Sequence, residues 1–144
     1  FLPRLVVWAK LKHRPSGKPL YVFNTHFDNS LPSQIHMAEL CQKQLVPFVE
    51  TGLPMIFMGD FNTDQKRGDY GGWRDSYTAA PEASEDGRDD NVATYYEGSK
   101  RRIDHIFYHG DELEPIAWRR LESPDPEIPL SDHYPVHARF RWKP

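Results

Sequence analysis

Cysteine is almost missing from this chain: Cys41 is the only one in 144 residues. A single thiol excludes an internal disulfide framework and a cysteine-built zinc site. Apolar runs of membrane-spanning length are also lacking. Neither sign of charge dominates. A net charge of −3 gives no global attraction to nucleic acid, though a local basic strip stays compatible with it. What is present argues against disorder: hydrophobic residues make up 38%, aromatics 13% and charged residues 27%. The length suits one domain with a real core, and no internal repeat is visible. The chain begins Phe1-Leu2-Pro3, with neither an initiator Met nor a signal-peptide pattern, so it is expected to be a fragment or a processed product.

Hydrophobic patterning predicts alternating strands and helices. Leu5 to Leu11 and Leu20 to His26 are β-rich runs around a Ser16-Gly17 turn, which reads as a hairpin. Leu31-Pro32-Ser33 offers a helix start with Ser33 as N-cap. Ile35, Ala38, Cys41, Leu45 and Val49 follow at helical spacing, and Pro47 is expected to end or kink the helix. Met55 to Met58 is a short, fully apolar run and predicts a strand buried on both faces. Residues 63–93 read as a long loop region with one short helix near Trp73 to Tyr77; its most mobile part is expected at Pro81 to Asp90. Strands are predicted to resume at Thr94 to Tyr96, Arg102 to Tyr108 and Ile116 to Leu121. A last strand, His133 to Trp142, alternates with period two and so has one buried face.

Four motifs carry candidate chemistry. They are Asn24-Thr25-His26-Phe27-Asp28, Gly59-Asp60-Phe61-Asn62, Arg102-Ile103-Asp104-His105 and Ser131-Asp132-His133. Each sits within or at the end of an apolar strand, where Asp and Asn are disfavoured unless partners or a metal satisfy them. If the strand ends share one sheet edge, the four converge. Asp, Asn and His without Cys suit hard cations, Mg²⁺ or Mn²⁺ rather than Zn²⁺. Phosphoester hydrolysis needs an activated water, a charge clamp on the phosphoryl oxygens and help for the leaving group. This set contains a group of each kind.

These motifs, in this order, resemble the C-terminal signature of the endonuclease/exonuclease/phosphatase superfamily, the DNase I-like fold. The similarity runs from about Arg4 to Arg139. It implies an α/β (α+β) fold, with residues 1–144 forming about one half of a four-layer sandwich of two packed sheets. By resemblance, Asp60 orients or deprotonates the attacking water and Asn62 hydrogen-bonds the nucleophile or the phosphate. His133 contacts the scissile phosphate and Asp104 is its carboxylate partner. His26 contacts the phosphate or assists the leaving group. Asp60, Asn62 and Asp132 are the implied metal-associated residues, for Mg²⁺ or Mn²⁺. The implied activity is that of a metal-dependent phosphoester hydrolase acting on nucleic acid, a phospholipid head group or a sugar phosphate.

One departure stands out. Family members carry an N-terminal half with a metal-binding glutamate and a catalytic asparagine, and residues 1–23 match neither. The other half is therefore expected to lie outside this chain, the fragment alone is expected to be inactive, and self-association through an uncovered sheet is an open alternative. A non-catalytic binding module or subunit that keeps the fold is the competing reading. Taken singly, Asp60 and Asn62 could be turn residues, and His133 a satisfied strand histidine. His105 and His137 are read as structural. Lys66-Arg67 and Lys100-Arg101-Arg102 read either as phosphate contacts or as solvated loop charge.

Overall fold

A computed structural model of the protein describes residues 3–64, 72–81, 93–96, 100–125, 128 and 131–144. Strand β1 (Val6–Lys12) turns back into β2 (Pro19–His26) as an antiparallel hairpin. The turn closes with the Gly17 N–H donating to the His13 carbonyl at 2.7 Å, Gly17 lying at φ +70°. Helix α1 (Leu31–Val49) then crosses over to β3 (Met55–Asp60), which runs parallel to β2. Short β4 (Arg74–Asp75), helix α2 (Ser76–Ala79) and β5 (Asp104–His109) follow. These strands form one sheet in the order β1-β2-β3-β5-β4. Strands β6 (Leu113–Arg120) and β7 (Val136–Trp142) pair antiparallel as a second, two-stranded sheet. That pair lies against β5, with the Phe140 ring on Tyr108 at 5.6 Å between centroids. The fold is mixed α/β.

The core lies between α1 and one face of the larger sheet. Tyr21 and Phe23 of β2, Met55 and Phe57 of β3, Phe107 of β5 and the neighbouring Phe27 and Phe61 are buried there against Ala38 and Leu45. Burying each phenyl ring is worth roughly 1.5–3 kcal/mol. The rings meet edge to face, Phe23–Phe48 at 5.0 Å and Phe61–Phe107 at 5.1 Å, the arrangement their quadrupoles favour. Strand β1 stands at the edge with all seven residues exposed, Trp8 by 56% and Val7 by 53%. Among the described residues no helix is long and apolar enough to cross a membrane.

The helix departs from its sequence reading in three ways. It begins at Leu31 with Ser30, not Ser33, as N-cap, because Pro32 fits the first turn, where N–H groups have no intrahelical acceptor. The Ser30 hydroxyl donates to Ser33 Oγ at 2.8 Å and makes no cap bond of its own. It also does not stop at Pro47 but runs to Val49. Proline removes one N–H, and the carbonyl that loses it belongs to Lys43, which lies on the exposed side of the helix. Finally, Ile35 is 49% exposed whereas Gln34 is buried.

The strands differ less. In β3, Met55 and Phe57 are buried and Ile56 and Met58 half-buried, so one face is fully covered rather than two. Thr94 to Tyr96 is not a full strand but a single bridge, Tyr95 to His133. Strand β7 alternates as expected, half-buried on one side and exposed on the other. The segment expected to be mobile lies, apart from Pro81, outside the described residues.

Gly59 is the position where the backbone admits no side chain. Its φ is +143°, and a Cβ there would meet the Thr25 carbonyl oxygen at 1.9 Å. Gly59→Ala is expected to cost more than about 3 kcal/mol, combining strained φ with a backbone clash. Gly52, at φ +69° with nothing within 4 Å, is the control and should cost about 1–2 kcal/mol as alanine. Urea unfolding of both variants checks the difference; equal midpoints would refute it.

Candidate active site

Strand register builds the site. His26 pairs with Asp60 across β2 and β3, and Asp60 pairs with Asp104 across β3 and β5. Cross-strand partners project to the same face, so these three side chains form a row at one end of the sheet, on the face opposite α1. The fourth member comes from the approach to β7. His133 is held by the bridge to Tyr95, and its ring nitrogen Nδ1 lies 2.7 Å from Asp104 Oδ2. A carboxylate oxygen accepts, so Nδ1 carries the proton and Nε2 is turned to the row. Nε2 of His133 lies 3.7 Å from Asp60 Oδ2, and Nε2 of His26 lies 3.3 Å from the same oxygen. Asp60 is thus flanked by two imidazoles.

The turn after β3 is equally tied down. Asn62 has φ +53°, a left-handed conformation that asparagine tolerates. Its backbone N–H donates to Asp60 Oδ1 at 2.7 Å. Its side-chain nitrogen donates to the Phe27 carbonyl at 2.8 Å and, more weakly, toward Asp60 Oδ2 at 3.5 Å. With both amide hydrogens so directed, what Asn62 offers a ligand is its amide oxygen, an acceptor for a water hydrogen or a donor to a cation. The Asn62 carbonyl in turn accepts from Gln34 Nε2 and from an Arg101 guanidinium N–H, each at 3.0 Å.

Burial pushes the Asp60 carboxyl above its ordinary range. The Asn62 N–H opposes this, Asp104 adds to it, and the charges of His133 and His26 pull back without cancelling it. For His133, burial of the ring favours the neutral form. The bond to Asp104 and the charges of Asp104, Asp60 and Asp132 outweigh it, so the imidazole is held above its usual value. Ligand atoms of Asp60, Asp104 and His133 all lie within 4.8 Å of one another. The carboxylate oxygens of Asp60 and Asp104 and the free amide oxygen of Asn62 are the kind of hard donor that Mg²⁺ or Mn²⁺ takes, whereas His133, protonated on Nδ1 toward Asp104, is placed as a hydrogen-bond donor. A cleft of about 200 Å³ opens beside them, lined by Asn24, Met58, Asp60, Asp104, Ile106 and Val136.

Of the residues singled out in the sequence, His26, Asp60, Asn62, Asp104 and His133 come together. Asp132 lies next to them but is exposed, with the Ser131 hydroxyl donating to its Oδ1 at 3.4 Å, and it stands outside the cluster of three. Asp28 accepts from the Ser30 N–H at 2.9 Å and shapes the loop before α1. Arg102 is no phosphate contact: its side chain is 10% exposed and paired with buried Asp75. Lys66 and Arg67 lie outside the described residues. Two supporting residues escape sequence reasoning. Gln34 carries no motif. Thr94, fully buried, has its hydroxyl oxygen accept from the N–H groups of Ile103 and Asp104 at 3.0 and 3.1 Å, while its carbonyl accepts from Tyr134 N–H at 2.8 Å. It therefore staples the Asp104 strand to the His133 loop. The only sequence signal for it is a threonine just before two tyrosines, which points nowhere in particular.

Solved structures share this arrangement of elements. An endonuclease/exonuclease/phosphatase family protein from Bacteroides thetaiotaomicron is 25% identical with a TM-score of 0.77, over 99% of this chain and 57% of that one. A mannosyl-6-phosphatase from B. thetaiotaomicron VPI-5482 is also 25% identical, TM-score 0.77, over 99% and 58%. The catalytic domain of human nocturnin, solved with a bound sulfate anion, shares the fold at 19% identity and a TM-score of 0.70, over 97% and 53%. The chain thus spans a little over half the length of these relatives. No curated protein matches it significantly by sequence. The model of the endonuclease/exonuclease/phosphatase family matches residues 3–133, nearly the whole chain, and the chain belongs to that family.

Proposed function

We propose that this chain supplies the water-activating and phosphate-clamping side of a divalent-cation-dependent phosphoester hydrolase. The observation that carries this reading is Asp60 placed between the imidazoles of His26 and His133, with Asp104 fixing His133 from behind. In this reading Asp60 orients the attacking water and takes its proton, and the Asn62 amide oxygen accepts the water's other hydrogen. Imidazolium His133 donates from Nε2 to a non-bridging phosphoryl oxygen, stabilising the charge that grows there. Asp104 keeps the Nδ1 proton in place and favours the charged ring. His26, at the other flank of Asp60, contacts the phosphate or protonates the leaving oxygen. Asp60, with Asn62 and Asp132, would hold Mg²⁺ or Mn²⁺, which supplies Lewis-acid charge to the phosphoryl group when bound.

Among the phosphoester classes, a sugar phosphate has the best support. The mannosyl-6-phosphatase is one of the relatives at 25% identity, and a net charge of −3 gives no general hold on a nucleic-acid backbone. We also propose that residues beyond this chain complete the site with a further metal-binding carboxylate. The exposed edge strand β1 favours a second reading alongside this one, in which another segment or another copy pairs with it.

The purified 144-residue chain is expected to hydrolyse no phosphoester, while the longer parent protein turns over a sugar phosphate with Mg²⁺ or Mn²⁺ and stops with EDTA. Robust turnover by the short chain would refute the split site. In the parent, Asp60→Asn and His133→Ala should each lower kcat by about 10²-fold or more; unchanged rates would sink the enzyme reading. Light scattering reads the second reading separately, since a stable monomer of the short chain counts against it.

The pH dependence follows from the two shifted groups. Asp60 must be ionised and His133 protonated, and both are held above their ordinary values. The acid limb of kcat/KM is therefore expected above the usual aspartate range, and the alkaline limb above about 6.5, the usual histidine value. Asp104→Asn removes the charge that raises His133 and leaves only a neutral amide oxygen to accept the Nδ1 proton, so the alkaline limb moves to lower pH. For stability the sign is that of a raised base. The His133–Asp104 contribution is complete below the unfolded histidine value and is lost as pH rises through the higher folded value. An alkaline limb unmoved in Asp104→Asn would overturn the assignment.

A further inference from the structure

A buried titratable group remains that the proposed chemistry does not use. His105 is 1% exposed, follows Asp104 in β5, and points to the opposite face of the sheet, across from Gly59. Its ring is fixed by packing: it stacks on Phe107 at 5.0 Å and 14°, and it meets Phe61 edge to face at 5.7 Å. Both ring nitrogens are engaged. An Arg102 guanidinium N–H lies 2.7 Å from Nδ1, and the Thr63 carbonyl oxygen lies 2.8 Å from Nε2. A guanidinium can only donate and a carbonyl can only accept. One state of the ring satisfies both, the neutral imidazole with its proton on Nε2.

Arg102 is itself held. Its other terminal nitrogen donates to Asp75 Oδ2 at 2.5 Å, and its guanidinium lies over the rings of Tyr77 at 4.5 Å and Trp118 at 6.0 Å. Asp75 is 2% exposed, and its second oxygen accepts the Tyr77 N–H at 3.0 Å, capping α2. A continuous chain of bonds thus runs from the start of α2 through Asp75, Arg102 and His105 to Thr63. Thr63 is 2% exposed and directly follows Asn62.

The near side of the turn is already pinned. The Phe27 N–H donates to the Asp60 carbonyl at 2.8 Å, and the Phe61 N–H to the Ile103 carbonyl at 2.9 Å. Asn62 then reverses the backbone at φ +53°. The bond from His105 to Thr63 catches the chain on the far side of that reversal. We propose that Asp75, Arg102 and His105 form a positioning relay that sets where Asn62 and Asp60 stand in the site, with the His105 Nε2–H to Thr63 carbonyl bond as its last link. As a statement about rates this rests on the hydrolase reading above. As a statement about geometry it does not. Supporting shells of this kind hold reacting groups to the tolerance that catalysis needs.

The test uses two variants of the parent protein. His105→Phe keeps an aromatic ring between Phe61 and Phe107 but removes both hydrogen bonds. His105→Gln restores a donor for Thr63 and an acceptor for Arg102. Nitrogen-15 spectra of the wild-type imidazole should show a protonated Nε2 and a bare Nδ1; the opposite tautomer, or a doubly protonated ring at pH 7, overturns the relay. The Asn62 side-chain amide resonances should shift in His105→Phe and return toward wild type in His105→Gln, whether or not the protein turns over. If they do not move in a folded His105→Phe protein, the relay is wrong. With a sugar phosphate as substrate, kcat should fall about 10–100-fold in His105→Phe, with KM changed less than about twofold, and recover in large part in His105→Gln. A loss that follows melting temperature and is not rescued by Gln assigns His105 a purely structural role and overturns the proposal. Absence of turnover in the wild-type parent would instead strike the hydrolase reading and leave the spectroscopic result to decide the relay.

Discussion

The register between β2, β3 and β5 is the constraint on which the site depends. It places His26, Asp60 and Asp104 side by side, three polar groups from segments far apart in sequence. A shift of one residue in β3 would turn Asp60 to the α1 face and bring Gly59 into the row, because side chains alternate with period two. The same shift would drive the packed faces of Phe57 and Met55 out of the core. Apolar burial on one face therefore enforces the alignment of the polar row on the other. Gly59 makes the alignment possible at its tightest point, where the Thr25 backbone comes too close for any side chain.

This division of faces explains why polar residues are tolerated beside buried strands. On the α1 face the polar groups that are buried, such as Gln34, Thr63, Asp75 and His105, are joined to partners by hydrogen bonds. On the cleft face Asp60, Asp104 and His133 are half-buried and meet one another instead. The two networks touch at the Asp60–Asn62 turn, where bonds arrive from α1, from the loop after β2 and from β5. A turn held from three sides cannot drift independently of the sheet, which meets the requirement of the water-positioning role proposed for Asp60.

Much of this was legible in the sequence, and the rest was not for a definable reason. The hairpin, the helix, the apolar run leading into Asp60 and the alternation of β7 are local patterns, and all appear within a few residues of where they were expected. Features decided by distant partners were misread or missed. Gln34 stands four residues before Ala38 on the buried stripe of the helix, where its polar type gives no sign of burial, and its amide meets the Asn62 carbonyl, 28 residues on. Arg102 reads as part of a basic surface run, yet Asp75, 27 residues before it, draws it inside. Ile35 fits a helical spacing with Ala38 yet stays 49% exposed. Hydrophobic periodicity reports how a segment could face a core. It carries no information on which polar group waits across the fold.

Asp60 has the imidazoles of His26 and His133 and the carboxylate of Asp104 around it. Asp104 is the cross-strand neighbour of Asp60 and adds to the rise of its carboxyl, and the 2.7 Å bond between His133 and Asp104 is the shortest link among them. Yet two imidazoles do not bring Asp60 back to an ordinary aspartate, because its burial outweighs their attraction. The ionised form of Asp60 is thus short of positive charge in the protein as it stands. Within the proposed reading, that shortfall is what a divalent cation would meet: bound beside Asp60, it would stabilise the carboxylate in competition with a proton. Cation affinity should then weaken as pH falls through the raised Asp60 value, for the same physical reason that the carboxyl is a competent proton acceptor above it.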